Sequence, residues 1–502
     1  MFVFTETDMP ALLDLVITNM LPQRSAAQKP IPANFIFLSA RYAHYYQNPE
    51  MLNSLFDAVT TRISNVIKTH PDDMTIHAFW ISNTLLLLHY LKKDLGLMTV
   101  SIEFQVKISE LLQESYLTLI RDAQRRIGRV LDSAILDNET IQGLDELTFG
   151  DEWKLFRHRS RNRKSPKRFP RTPSPRRRAE PSPRNVTSLL SSIQFILETY
   201  DIHAVIIAQC QAQLLSWIGA ELFNRILTKK MYQSRSKAMQ IRLNVSALED
   251  WLRVNVKPST STAGGDSSAY VRRTASAISR EFLGPLIQLL QWLQVLSSLG
   301  DEEDTFRRTV SALDLLTPAQ LLSAANNYRV EVGEHVLPKK FKDILRNMEA
   351  EKEEARRKAR VRMSTLPPSQ TPTPTPSTPT PVKPPATAPP SANPQPPQSP
   401  TTEEDDIPPP STLLLPSSTL LPFALPTTTE MITAYGAGIG GTQREKYIPT
   451  LPAEFIEKLD NINSKGTSVP LGGVTKRWVD EEVDDDREIA DRVAVQGGGW
   501  GQ

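Results

Sequence analysis

The side chains best suited to catalysis or metal binding in this sequence are its histidines and its single cysteine, and their spacing tests both chemistries. His77 and His89 stand in MTIHAFWISNTLLLLHYLKK (74–93), a run with helical periodicity. Twelve residues of helix turn through about 120° and rise about 18 Å, so one metal ion cannot reach both rings. His44, His70 and His203 add no HExxH or other ligand spacing. Cys210 is the only cysteine, which excludes an internal disulfide and a cysteine-based zinc site. Within an apolar helical stretch it reads as a small core residue in a reducing compartment. GAGIGG (436–441) is followed by Thr442, Gln443 and Arg444, not by the Lys-Ser/Thr of a phosphate-cradling loop, and no GxSxG is present. The acidic run DEEVDDD (480–486) and its like have no apolar surroundings to raise a carboxyl pKa. No catalytic constellation emerges, and neither a metal nor a cofactor is expected.

A second chemistry lies in RHRSRNRKSPKRFPRTPSPRRRAEPSPR (157–184), which holds 12 Arg or Lys residues against one acid, Glu180. Such a run attracts anionic lipid or nucleic acid through counterion release. Its Ser/Thr-Pro pairs make Ser165, Thr172, Ser174 and Ser182 candidate phosphosites, where each added phosphate cancels basic charge. The plainer reading is a solvated insertion, with a regulated electrostatic contact next and nuclear targeting last. The net charge of the whole chain is only +2, so no global field favours nucleic acid.

These residues must be positioned by helices. Apolar side chains recur at spacings of three and four through Phe35, Leu38, Tyr42 and Tyr45, through Leu52, Leu55, Val59, Ile63 and Val66, and through Leu111, Leu112, Tyr116, Leu119 and Ile120. A second block runs from about 186 to 255 and a third from 280 to 345. Period-two alternation and hairpin signals are scarce, which predicts an all-α fold. For 74–93, Asp72 and Asp73 suit the helix start and Lys92 and Lys93 its end. Trp80, Trp217, Trp251 and Trp292 read as core packing.

Twelve of the 18 residues from Met74 to Leu91 are apolar, but Thr75, His77, Ser82, Asn83, Thr84 and His89 interrupt a membrane span. The start, MFVFTETDMPALLDLVITNM, carries Glu6, Asp8 and Asp14 and no leading basic residues, which argues against a signal peptide. A cytoplasmic chain is expected, peripheral at most to membranes or the cytoskeleton.

Eighteen of the 40 prolines fall between Pro367 and Pro410, where no helix could persist. The expected organisation is a helical domain over 1–345, with a disordered basic insertion at 157–185 and a polar loop at 257–270. A charged helical extension follows at 346–364, then a proline-rich disordered linker at 365–412. The leucine-rich segment 413–460 is expected to pack back on the helical body, leaving a disordered tail at 461–502.

PANFIFLSARYAHYY (32–46) and DDMTIHAFWISNTLLLLHYLKKD (72–94) together resemble the dilute, or DIL, domain, the helical cargo-binding module of class V myosin tails and of afadin-like scaffolds. LGPLIQLLQWLQVLSSL (283–299) looks like a late helix of that family, and LDLLTPAQLLSAANNYRVEVGEHVLPKKFKDIL (313–345) its closing signature. LPFALPTTTEMI and YIPTLPAEFIEKLD are similar to the distal part of motorless fungal members. No motor domain, neck motif or long heptad region precedes the module in this sequence.

The resemblance implies an elongated multi-helix bundle with a returning C-terminal segment. It places Phe35, Leu38, Tyr42, Phe79, Trp80, Leu85, Leu88, Trp292, Leu313 and Leu316 in the structural core. It also implies a non-catalytic scaffold or cargo adaptor of intracellular traffic, cytoskeletal organisation or polarity. Its partners would be proteins: vesicle adaptors, small GTPases or their effectors, and polarity proteins. The alternative from the residues themselves is a peripheral binder of anionic membrane, or less readily of nucleic acid, acting through the basic loop 157–184.

Overall fold

The computed structural model describes residues 4–139, 181–256, 274–365, 413–436 and 448–465. Ser165, Thr172, Ser174, the polar loop, the linker beyond Thr365 and the tail from 466 onward lie outside the described residues. Every described element is a helix. They divide into two compact units, the first comprising Met1–Ala123, Ser192–Ile207 and Phe423–Gln502, the second Gln124–Ser191 and Ala208–Pro422.

The first unit is built around α4 (Met74–Lys93), after α1 (Met9–Leu13), α2 (Ile31–Tyr46) and α3 (Pro49–Thr69). Local chemistry sets the starts of these helices. The Asp73 carboxylate accepts the Thr75 and Ile76 amides at 2.8 and 3.3 Å, and Asn48 accepts the Met51 amide ahead of Pro49. Almost all of α4 from Met74 to Leu91 is buried, including Asn83, Thr84 and both histidines.

A helix buried all round must satisfy its polar side chains internally. Asn83 does so as a bolt between helices: its Oδ1 accepts the Ala33 amide at 3.2 Å, and its Nδ2 donates to the carbonyls of Lys29 and Phe79 at 3.0 and 2.9 Å. Asn83→Leu keeps the volume but strands the Ala33 amide at the start of α2 and the Lys29 carbonyl. It should lower unfolding free energy by about 2–3 kcal/mol in a denaturant titration.

The outer elements close on this frame. Phe56 of α3 stacks on Phe104 of α6 (Ile102–Leu131) at 4.0 Å. Lys29 bonds the Thr199 carbonyl and Asp201, at the end of α7 (Pro183–Thr199). Helix α15 (Thr428–Tyr435) packs on α4, and α16 (Ala453–Lys465), which runs five residues past the expected end of the packed segment, contacts α1.

In the second unit the main helices are α8 (Ala204–Thr228), α9 (Arg235–Asn255), α10 (Ala275–Phe282), α11 (Gly284–Val295), α12 (Glu303–Ala312), α13 (Pro318–Asn327) and α14 (Lys339–Thr365). The short α5 (Leu95–Val100) belongs to the first unit. Here α9 packs on α10 and α11, and α13 on α14. Gly219 of α8 is a close-approach position, since a Cβ there would fall 2.1 Å from the Phe282 carbonyl oxygen.

Several boundaries differ from the sequence expectations. Pro183, Arg184 and Asn185, assigned to the disordered insertion, already form the first turn of α7; proline at the helix start and a Ser182 amide bonded to Asn185 Oδ1 at 2.8 Å account for it. No break falls at 345/346, because one helix, α14, runs through from Lys339. Nor is its charged part wholly solvated: Arg356 is buried against Glu349 and Glu353 at 3.5 and 2.8 Å. The face of α2 is also rotated from the expected one. Residues 35, 39, 42 and 36, 40, 43 turn inward, so Leu38 is only half-buried, on the side that carries exposed Arg41 and Tyr45.

Candidate partner-binding surfaces

In the first unit, α6 turns Phe104, Ile108, Leu111 and Leu112 into the core. Its opposite face, at 102, 106, 109 and 113, lines an open groove of about 420 Å³ with Lys92, Phe423 and Leu425. Ile102 and Val106 are 58% and 53% exposed in it. The neighbouring sequence repeats the pattern, with Leu95, Met98 and Val100 exposed as well, so five apolar side chains within twelve residues face solvent. Phe423 anchors the far wall against the Tyr116 ring at 4.5 Å. The apolar floor with Gln105, Lys92 and Glu110 at its rim is the composition of a protein-binding groove. A larger cleft of about 600 Å³ in the second unit, among α9 to α12, is more polar at its rim, and its Arg280 pairs with Asp314 at 3.1 Å.

The second unit also holds an extended segment of its own chain. Residues 413–422, LLLPSSTLLP, are fixed to the helices mainly through backbone groups. Asn224 of α8 donates Nδ2–H to the Leu415 carbonyl at 2.8 Å and accepts the Leu415 amide on Oδ1 at 2.7 Å. Gln213, three turns earlier, donates to the Thr419 carbonyl at 3.2 Å and accepts the Leu421 amide at 2.6 Å. Gln320 of α13 caps its own helix with Oε1, accepting the Thr317 amide, and donates Nε2–H to the Leu413 carbonyl at 3.1 Å. Asn224, Gln213 and Gln320 have no signature in a single sequence; each is a polar position on a mainly apolar helix, and that inward amide is the one signal that could have marked them.

Of the residues singled out from sequence, Phe79, Trp80, Leu85, Leu88, Phe35 and Tyr42 are buried in the first unit and Trp292, Leu313 and Leu316 in the second. They therefore belong to two cores. Trp217 is half-buried over Gly128, and Trp251 bonds Ser191 Oγ at 2.8 Å. Ser182 alone among the candidate phosphosites is described, at the start of α7.

The histidines are not brought together as ligands. Among the described residues no three His, Cys, Asp or Glu side chains converge as a metal site. Burial pushes the His89 pKa down to about 4, helped by Lys93, and lowers those of His77 and His203. His89 and His203 flank the Tyr435 ring at 5.7 and 6.0 Å. Burial pushes the Cys210 thiol up to about 12, which keeps it protonated and unreactive. Gly436, the one described residue of GAGIGG, ends α15 by donating to the Ile432 carbonyl at 2.9 Å. Among the described residues no helix is long and apolar enough to cross a membrane.

An all-helical fold with grooves open at its surface defines a helical module with surface grooves. Within it, residues 209–332 match the DIL domain family. The matched residues fall in the second unit. A dilute domain-containing protein of Schizosaccharomyces pombe is 32% identical over 345 residues, 68% of this chain and 58% of that protein. One from Saccharomyces cerevisiae is 22% identical over 466 residues, 68% of this chain and 52% of its own length. Human unconventional myosin-Va is 27% identical over 315 residues, 59% of this chain and 15% of the myosin. The chain thus spans little more than half of its fungal relatives. An apo structure of Myo2-GTD has a similar fold, with a TM-score of 0.50 at 16% identity, covering 70% of this chain and 83% of that one.

Proposed function

We propose that this chain is a non-catalytic scaffold or cargo-adaptor protein of intracellular traffic, cytoskeletal organisation or polarity. It acts in the cytoplasm, peripheral to membranes or the cytoskeleton. The observation that carries this reading is the α6 groove: exposed Ile102 and Val106, continued by Leu95, Met98 and Val100, so that five apolar side chains within twelve residues face solvent beside a groove. Such a surface suits the apolar face of a partner helix, as carried by vesicle adaptors, small GTPase effectors or polarity proteins. The DIL relatives support the reading.

Ile102→Glu with Val106→Glu tests it. Both side chains are already solvent-facing, so unfolding free energy should change by no more than about 0.5 kcal/mol per substitution. Proximity labelling in cells should lose traffic, cytoskeletal or polarity proteins that the unaltered chain enriches. Enrichment unaffected by the double substitution would sink the groove reading. Loss of association only on removing residues 157–184 would favour the basic loop instead.

A further inference from the structure

The segment LLLPSSTLLP contains a step twice: Leu414-Leu415-Pro416 and Leu420-Leu421-Pro422. The two residues whose amides are captured, Leu415 by Asn224 and Leu421 by Gln213, are in each case the leucine immediately before proline. Proline biases the residue preceding it towards extended backbone, which presents N–H and C=O to a partner amide. Asn224 meets both groups of Leu415, the pattern of a strand residue pairing with its neighbour. Gln213 takes the Leu421 amide and the Thr419 carbonyl two residues earlier.

The two spacings match. Asn224 and Gln213 are eleven residues apart on one helix, about 16 Å. Leu415 and Leu421 are six residues apart, about 19 Å if fully in the polyproline conformation. A turn in which the Thr419 amide donates to the Pro416 carbonyl at 3.3 Å takes up the difference. The helix therefore reads a repeat, with Gln320 catching the carbonyl ahead of it.

These bonds fix the occupant's backbone while its side chains stay at least partly exposed. No side chain from 413 to 422 is buried, and Leu413, Leu414 and Leu420 are 45%, 45% and 44% exposed. By contrast, Met431 and Tyr435 of α15, further along the same segment, are buried. A segment with paired backbone and unburied side chains opens at a lower cost than the core.

We propose that the face of α8 carrying Asn224 and Gln213 is a recognition site for Leu-Leu-Pro repeats in extended conformation. Residues 413–422 fill it in cis, and a partner bearing the same repeat takes it when they leave. This goes beyond the α6 groove, uses none of its residues, and lies in the unit that contains the DIL match.

The test uses the full chain with residues 413–422 replaced by a Gly/Ser stretch of equal length, and as probe a fluorescent peptide of sequence STLLLPSSTLLP. The peptide should bind this chain saturably. It should bind the unaltered chain at least tenfold more weakly, because a tethered occupant competes at millimolar effective concentration. The same peptide with Leu415→Pro and Leu421→Pro keeps its apolar character but lacks both captured amides, and should not bind. Equal binding of the two peptides, or none to a replaced chain that retains native circular dichroism, overturns the proposal.

Should the replaced chain fail to fold, hydrogen exchange on the unaltered chain decides. The Leu415 and Leu421 amides should exchange at least 100-fold faster than amides at the centre of α8, showing local opening. Exchange of all of them only with global unfolding would defeat an exchangeable site. Ile102→Glu with Val106→Glu should leave peptide binding unchanged, so failure of the adaptor reading and failure of this one are separable.

Discussion

Trp292→Ala should lower the unfolding free energy by about 3–5 kcal/mol, measured as a fall in denaturant midpoint with the slope unchanged. Trp292 is fully buried and lies at the head of an aromatic column. Its ring meets Phe306 edge-on at 6.2 Å, and Phe306 stacks on Phe341 at 4.3 Å, so the column of three rings links α11, α12 and α14. The indole also donates Nε1–H to the Leu321 carbonyl at 3.0 Å, at α13. Truncation removes the ring's transfer free energy, opens a cavity among four helices and loses the bond to that carbonyl. Trp292→Phe separates the terms: it retains most of the packing and loses the hydrogen bond, so its cost should be clearly smaller. If alanine cost no more than phenylalanine, the column would not be what joins these helices. Because Trp292 lies within the DIL match, the measurement also asks whether that module's stability rests on its centre.

Much of this core was legible in the sequence because its signal is local. The spacing of Leu52, Leu55, Val59, Ile63 and Val66 gives a helix and its buried face together, and all five are buried. The polarity of α4 was likewise visible, since Asp73 at one end and Lys92 and Lys93 at the other answer free backbone groups within a turn.

What was not legible depends on which neighbours a face meets. On α2 a stripe through Phe35, Leu38, Tyr42 and Tyr45 and one through Phe35, Ser39 and Tyr42 are both regular. Burying Asn34 and Ser39 decides for the second, and Asn34 can be buried because Tyr90 donates to its Oδ1 at 2.9 Å and it donates to the Thr450 carbonyl at 2.7 Å. No window of the sequence contains those partners, which lie 56 and 416 residues away. The binding surfaces are harder still. An exposed Ile102 and a buried Ile108 look alike in sequence, and the amides of Asn224 and Gln213 acquire meaning only once a segment some two hundred residues later lies across them.

Acid should loosen the first unit as pH falls from about 6.5 towards 4. His89 is buried on α4 between Tyr90 and Tyr435, with Lys93 one turn on and His203 on the other side of the Tyr435 ring, where its Nε2 sits 3.4 Å from the Glu430 carbonyl oxygen. Burial holds the His89 pKa at about 4, against about 6.5 in an unfolded chain. Between those values the unfolded chain carries a proton that the folded chain does not, so stability is whole above about pH 6.5 and falls as pH drops towards 4. The loss approaches 1.4 kcal/mol per pH unit, or about 2 kcal/mol from this residue between pH 7.5 and 5. His77 and His203, lowered for the same reason, act in the same direction. Replacing the ring with an apolar one of similar size, His89→Phe, removes the titration while filling the space. The drop in unfolding free energy between pH 7.5 and 5 should then shrink by about 2 kcal/mol. An unchanged drop in the variant would place the acid sensitivity elsewhere. Since α15 packs on α4 and carries Tyr435, the first structure expected to leave on acidification is that helix, read as faster amide exchange at Met431 to Tyr435 than in α4 itself.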